Sequence, residues 1–167
     1  MTVTTPPIYP DHRKMEEGVM GLEHLVYVSQ ARDSLDSDGL GAILKESRRY
    51  NAQHDITGAL LFVEGRGGRS GSFMQLLEGP DEELETLRAR IFRDARHHTK
   101  VVLQRGPLAA RNFSEWSMAF RNVSPSVLAA HPKFADLSEP AFMDRCRRQE
   151  VGDARAFLRT FWDADPL

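Results

Sequence analysis

A single glutamine interrupts the apolar run Phe73-Met74-Gln75-Leu76-Leu77-Glu78-Gly79. As a strand, this run places Gln75 on the face of Phe73 and Leu77, so its carboxamide points into the interior. A buried amide without partners costs about 1–3 kcal/mol, so another polar side chain or a bound molecule has to meet it. Tyr27 is one candidate, in the middle of residues 22–30 on the face of Leu25 and Ser29. Asn51 is another: it extends the helical stripe Leu40, Ile43, Leu44 and Ser47, although asparagine is also a common helix C-terminal residue. Arg90 and Asp94 lie four apart beside Leu87 and Ile91. They form either a surface ion pair, worth about 0.3–0.5 kcal/mol, or contacts to a polar ligand. The set has no nucleophile, no metal-ligand spacing and no proton-shuttling histidine. A planar, amide-rich ligand held by hydrogen bonds would satisfy it.

Other chemistries lack their residues. The glycine-rich stretch 65–71 is not followed by Gly-Lys-Ser/Thr and opens no helix, so it reads as a hairpin tip. His97 and His98 are adjacent and cannot converge on a metal from a helix. No serine sits in a Gly-x-Ser-x-Gly elbow. The single cysteine, Cys146, permits no intramolecular disulfide and reads as a reduced thiol. A net charge of −2 with acids and bases interspersed gives no footprint for nucleic acid or an anionic membrane. No apolar run reaches the roughly 18 residues of a membrane span, and residues 1–21 lack the apolar centre of a secretory signal. A cytoplasmic, non-enzymatic protein is expected.

The positioning elements follow from pattern. Residues 1–21, with Pro6, Pro7 and Pro10, read as a loose extension. A strand over 22–30 precedes a helix capped by Asp36 and running to about Tyr50. Strands over 56–63 and 72–77 form a hairpin with an enlarged tip. Pro80 and the acids after it open a second helix ending near Asp94. Strands over 100–105 and 112–123 follow, the last with Trp116, Met118 and Phe120 alternating into the core. Because methionine repacks easily, Trp116 and Met118 also suit a movable plug. The order β-α-β-β-α-β-β is that of an α+β, ferredoxin-like fold: an antiparallel sheet with two helices on one face. Its first and third strands are neighbours, which brings Tyr27 to Gln75. Past Ser124, prolines 125, 132 and 140 punctuate a helical extension in which 141–161 is one amphipathic helix or a pair. Three regions result: 1–21, a domain over 22–123, and a helical cap over 124–167.

Taken together, these segments resemble the BLUF family, blue-light sensors that use FAD. The matching pieces are Leu25-Val-Tyr27-Val-Ser29, Ser47-Arg-Arg-Tyr-Asn51, Ile56-Thr57-Gly58-Ala-Leu60, Phe73-Met-Gln75-Leu-Leu-Glu78-Gly79, Arg90-Ile91-x-x-Asp94-x-Arg96-His97 and Phe113-x-x-Trp116-Ser-Met118. They stand in family order. The resemblance implies a flavin inserted between the two helices, with Tyr27 as photochemical electron and proton donor and Gln75 as the switching amide. It implies flavin contacts from Asn51, Arg90 and Asp94, less direct roles for Ser29 and His97, and signalling by Trp116 and Met118. Light would leave Gln75 tautomerised or rotated and shift absorption slightly to the red, with no net chemistry. Two departures stand out: Tyr50, where the family often has asparagine or histidine, and the long loop over 64–72. Output is expected through a downstream protein partner or a homodimer or higher homo-oligomer, using an apolar stripe of Phe142, Phe157, Leu158 and Phe161. The rivals are an acylphosphatase-like hydrolase, for which the phosphate loop is missing, and a light-independent ferredoxin-like interaction or dimerisation module.

Overall fold

The computed structural model describes residues 21–65, 67, 69–137 and 139–163, so most of the expected N-terminal extension lies outside the described residues. Its elements are β1 (Leu22–Ala31), α1 (Ser37–Gln53), β2 (Thr57–Val63), β3 (Ser72–Pro80), α2 (Asp81–Phe92), β4 (His97–Pro107) and β5 (Ala119–Val123). Two short 3-10 turns, Pro125–Ala130 and Pro132–Phe134, lead to α3 (Pro140–Arg147) and α4 (Ala154–Asp163). The β-α-β-β-α-β-β order is the expected one, and 141–161 resolves into a helical pair. Asp36 caps α1 as its residue type predicts, its carboxylate accepting the Gly39 N–H at 2.8 Å.

The five strands lie in the order β4-β1-β3-β2-β5. Every neighbouring pair is antiparallel except β2 with β5, which is parallel. The expectation of an all-antiparallel sheet is thereby corrected. β4 and β5 occupy opposite edges and run in opposite directions, so residues 108–118 cross one whole end of the sheet. At that end Leu22 pairs with Pro80 and Thr57 with Glu78, while Leu108 donates its N–H to the Leu22 carbonyl at 2.9 Å.

Two strand boundaries also differ. β4 begins at His97, not Lys100, because Thr99 adopts φ 53° and the ladder to β1 shifts register there. That irregularity breaks the alternation by which a strand is read. β5 begins only at Ala119, since the N–H groups of Asn112 and Phe113 go to the Glu78 carboxylate and not to a ladder.

Alternation along the strands sends two sets of side chains to opposite faces. Leu25, Tyr27, Leu60, Phe73 and Leu77 pack under Leu44 of α1 and Leu84 and Leu87 of α2. Val26, Val28, Leu61, Met74 and Leu76 pack against Leu128, Phe134, Phe142, Phe157 and Leu158 from the C-terminal elements. Both faces are therefore covered. Phe134 and Phe157 stack with ring centroids 4.0 Å apart, and Phe142, Phe157 and Leu158 are buried. These residues are core, which overturns the expectation that they form a free docking stripe: the apolar face they present is used on the sheet.

Candidate functional site

Between α1, α2 and the sheet lies a cleft of about 640 Å³, counting its open mouth. Helical spacing builds one wall, since Ile43, Ser47 and Tyr50 fall on one side of α1. Leu87, Arg90 and Ile91 of α2, with Asp94 and Arg96 just beyond it, build the other wall. Tyr27, Leu60, Phe73 and Gln75 form the floor.

On that floor Tyr27 and Gln75 are in direct register across β1 and β3. The phenol of Tyr27 donates to Gln75 Oε1, and Gln75 Nε2 donates to the Met118 sulfur at 3.4 Å. The amide demanded by the sequence is thus met by side chains on both ends. Burial, then the nearby Asp94 charge, pushes the Tyr27 pKa upward, so the phenol keeps its proton and stays a donor.

The other expected residues divide. Asn51 is buried, lines the cleft and donates from Nδ2 to the Ser117 carbonyl at 2.7 Å. His97 also lines the cleft. Its Nε2 faces the Ile91 carbonyl at 3.1 Å, an acceptor only, so Nε2 carries the proton and Nδ1 takes the Ser29 hydroxyl at 2.6 Å. Burial, then the Lys100 charge, lowers the His97 pKa to about 4. Ser29 stands behind His97 and does not line the cleft. Arg90 and Asp94 both reach the cleft but do not pair with each other. Arg90 bonds Glu46 at 3.1 Å, whereas Asp94 is gripped by Arg96 at 2.5 Å. Partial burial works against ionisation of Asp94, yet the Arg96 hydrogen bonds outweigh it and hold the carboxyl below its usual range.

Trp116 departs from expectation. It is 45% exposed, on the outer side of the 108–118 segment, whereas Met118 is buried against Gln75. The segment is irregular, so alternation does not govern where these side chains point. Tyr50 lines the cleft with its ring stacked on His54 at 3.8 Å and the Arg90 guanidinium 4.7 Å from its centre. Sequence reasoning gave no role to Glu46 or Arg96. The available signal was spacing: Glu46 is one helical turn before Tyr50 on the cleft side. Among the described residues no group of three histidine, cysteine or acidic side chains could hold a metal. Cys146 is buried and its thiol is pushed up to about 12 by that burial, as fits an inert thiol.

Comparison with known proteins decides the ligand. The family described as sensors of blue-light using FAD matches residues 22–119. The chain belongs to the BLUF family. It is 36% identical over 117 residues to the photoactivated adenylate cyclase subunit beta of Euglena gracilis, covering 70% of this chain and 13% of that protein. It is 34% identical over 97 residues to the blue light- and temperature-regulated antirepressor BluF of Escherichia coli, covering 58% and 23%. This BLUF chain therefore spans a small part of the curated relatives' length. The dark-state structure of the BLUF protein BlrB superposes with a TM-score of 0.59 at 31% identity, covering 79% of this chain and 96% of BlrB. BlsA in its photo-activated state shares the fold, with a TM-score of 0.64 at 24% identity over 86% and 96% of the two chains.

FAD is thus the cofactor, and the cleft fits it. An isoalloxazine has apolar faces and an edge of carbonyl and nitrogen acceptors and donors. Ile43, Leu60, Phe73, Leu87 and Ile91 suit the faces, while Asn51, Gln75 and Arg90 suit the edge.

Proposed function

We propose that this BLUF domain signals blue light through a hydrogen-bond switch centred on Gln75, with Tyr27 as its photochemical partner. The reading rests on one observation: an unbroken chain from the Tyr27 phenol through the Gln75 amide to the Met118 sulfur. FAD, when bound, supplies the blue absorption and an electron acceptor in its excited state. Asn51 on α1, Arg90 on α2 and Asp94 just beyond α2 would hold its ring, while the Ile91 carbonyl fixes the His97 tautomer at the cleft wall and Ser29 bonds the other ring nitrogen.

Tyr27 gives up an electron, and its phenolic proton moves along the existing bond to Gln75 Oε1. Gln75 then either passes a proton from its nitrogen to the group that took the electron, from which both can return, or turns about its last torsion. Tyr27 regains electron and proton, so no net chemistry occurs. What changes is which end of the carboxamide donates and which accepts, and a primary amide has both. The altered amide no longer presents Nε2 to Met118, and the 108–118 segment responds.

From that segment the signal passes to β5 and to α4, where Phe113 meets Trp162 edge-on at 5.4 Å. On this reading residues 22–123 form the sensor, 124–167 the output cap, and Trp116 and Met118 carry the signal between them. The output is non-enzymatic regulation of a separate protein in the cytoplasm, by a homodimer or higher homo-oligomer. Support for a partner comes from the relatives, whose names couple light to a cyclase or an antirepressor.

Tyr27→Phe tests the reading. The variant is expected to bind FAD and stay yellow while losing the light-induced red shift in difference spectra. An unaltered photocycle in Tyr27→Phe would refute it.

A further inference from the structure

Glu78 is fully buried, and neither the sequence pattern nor the photochemistry gives it a task. It lies three residues past Gln75 on β3, on the opposite face, at the end of the sheet that the 108–118 segment crosses. Among the described residues, the hydrogen-bond partners of its carboxylate are donors. Oε1 accepts the Asn112 backbone N–H and side-chain amide, both at 2.7 Å. Oε2 accepts the Phe113 N–H at 3.0 Å and the Thr57 hydroxyl at 3.3 Å.

Arg111, next to Asn112 in the chain, bonds the Glu78 main-chain carbonyl and the Asp55 carbonyl, not the carboxylate. The charge is thus held by oriented N–H and O–H dipoles from the crossing segment and from β2. Burying a carboxylate is costly unless each oxygen is paired, so this arrangement ties the segment tightly to β3. The far end of the same segment is tied too. Asn51 holds the Ser117 carbonyl, Arg48 holds the Met118 carbonyl at 3.1 Å, and Gly58 donates to the Trp116 carbonyl at 3.1 Å.

We infer that Glu78 is a positioning residue for the light response: it clamps Asn112 and Phe113 so that Met118 is delivered to the Gln75 amide. One strand then carries both the switch and the anchor of the segment that senses it. This rests on the proposed role of Gln75 and Met118. When the amide changes, the segment has to move about a fixed point at Glu78, and rearrangement in either direction works against that point, so the clamp raises the barrier to return.

The test is Glu78→Gln in the full chain loaded with FAD. Glutamine is nearly isosteric but turns an NH2 group toward two donors. The variant is expected to keep the dark spectrum and the red shift, because Tyr27 and Gln75 are untouched, while the lifetime of the lit state shortens by about twofold or more. In a Met118→Ala background the same substitution is expected to change the lifetime by less than about twofold, the coupling that a double-mutant cycle isolates. A folded Glu78→Gln whose lifetime is longer or within about twofold of the parent, one that loses the red shift, or an equal effect in both backgrounds overturns the assignment. Should Glu78→Gln fail to fold, Asn112→Ala removes one donor only. A shorter lifetime supports the clamp, and an unchanged or longer one overturns it. If the parent chain binds FAD but shows no red shift, the proposed function falls and this role with it. A parent that shifts beside an unaffected Glu78→Gln removes the clamp alone.

Discussion

At the scale of single residues, His97 couples the cleft to pH. Its ring is buried, neutral and bonded at both nitrogens, and its pKa falls from an unfolded value near 6.5 to about 4. Between these values the unfolded chain binds the proton that the folded chain refuses, so stability rises with pH there. This contribution is complete above about pH 6.5 and is lost as pH falls toward 4. His24 is shifted in the same direction by burial and then by Arg155, so it adds to the slope. The expected outcome is a lower urea midpoint at pH 5 than at pH 7, with His97→Gln showing a smaller difference between the two. Equal differences in parent and variant would exclude His97 as a source. Asp94 titrates in a lower window, because its pKa is also depressed, and does not confuse the comparison.

At the scale of elements, β3 is held in register on both sides: the β2–β3 hairpin pairs Gln75 with Leu60 and the β1–β3 ladder faces it to Tyr27. Gly58 is where that hairpin tolerates no side chain, since a Cβ would stand 2.1 Å from the Leu76 carbonyl oxygen. Gly58 also donates to the Trp116 carbonyl. Gly58→Ala is expected to destabilise the domain by about 2 kcal/mol or more, read from denaturant unfolding, and to weaken FAD retention. The elements that were legible in the sequence share one property: their hydrogen bonds are local or laddered. The Asp36 cap, the α1 stripe and the alternation around Gln75 all belong to that kind. Residues 112–118 do not, because the N–H groups of Asn112 and Phe113 bond a carboxylate 34 and 35 residues away. Apolar side chains at every second position imitated a strand there. Likewise Thr99, at positive φ, hid the first turns of the β4 ladder. Within the site, Tyr27, Asn51 and Gln75 were readable because each breaks an apolar pattern. Glu46 and Arg96 break none, being charged residues on polar stretches, and Glu78 was hidden by its place near the end of its strand, next to Gly79.

For the whole molecule, the helical cap is part of the fold as well as the proposed route of output. Phe142 has no exposed surface and packs in the cluster that covers the sheet face opposite the cleft. Trp116, by contrast, has nearly half its surface in solvent and makes a ring contact with Phe113, centroids 6.2 Å apart. These two aromatic residues should therefore separate folding from signalling. Phe142→Ala is expected to cost about 3–5 kcal/mol, the penalty for emptying a packed aromatic site, and to lower the melting temperature with FAD bound or removed. Trp116→Ala is expected to cost less than about 1 kcal/mol, as surface changes do, while altering the light-dependent change in α4. Amide hydrogen exchange in α4, compared in darkness and under blue light, measures that change. Parent and Trp116→Ala should differ in the light response of α4 at equal global stability. A Trp116→Ala variant that melts as early as Phe142→Ala would mean that Trp116 is core, and that the signal leaves the sheet by another path.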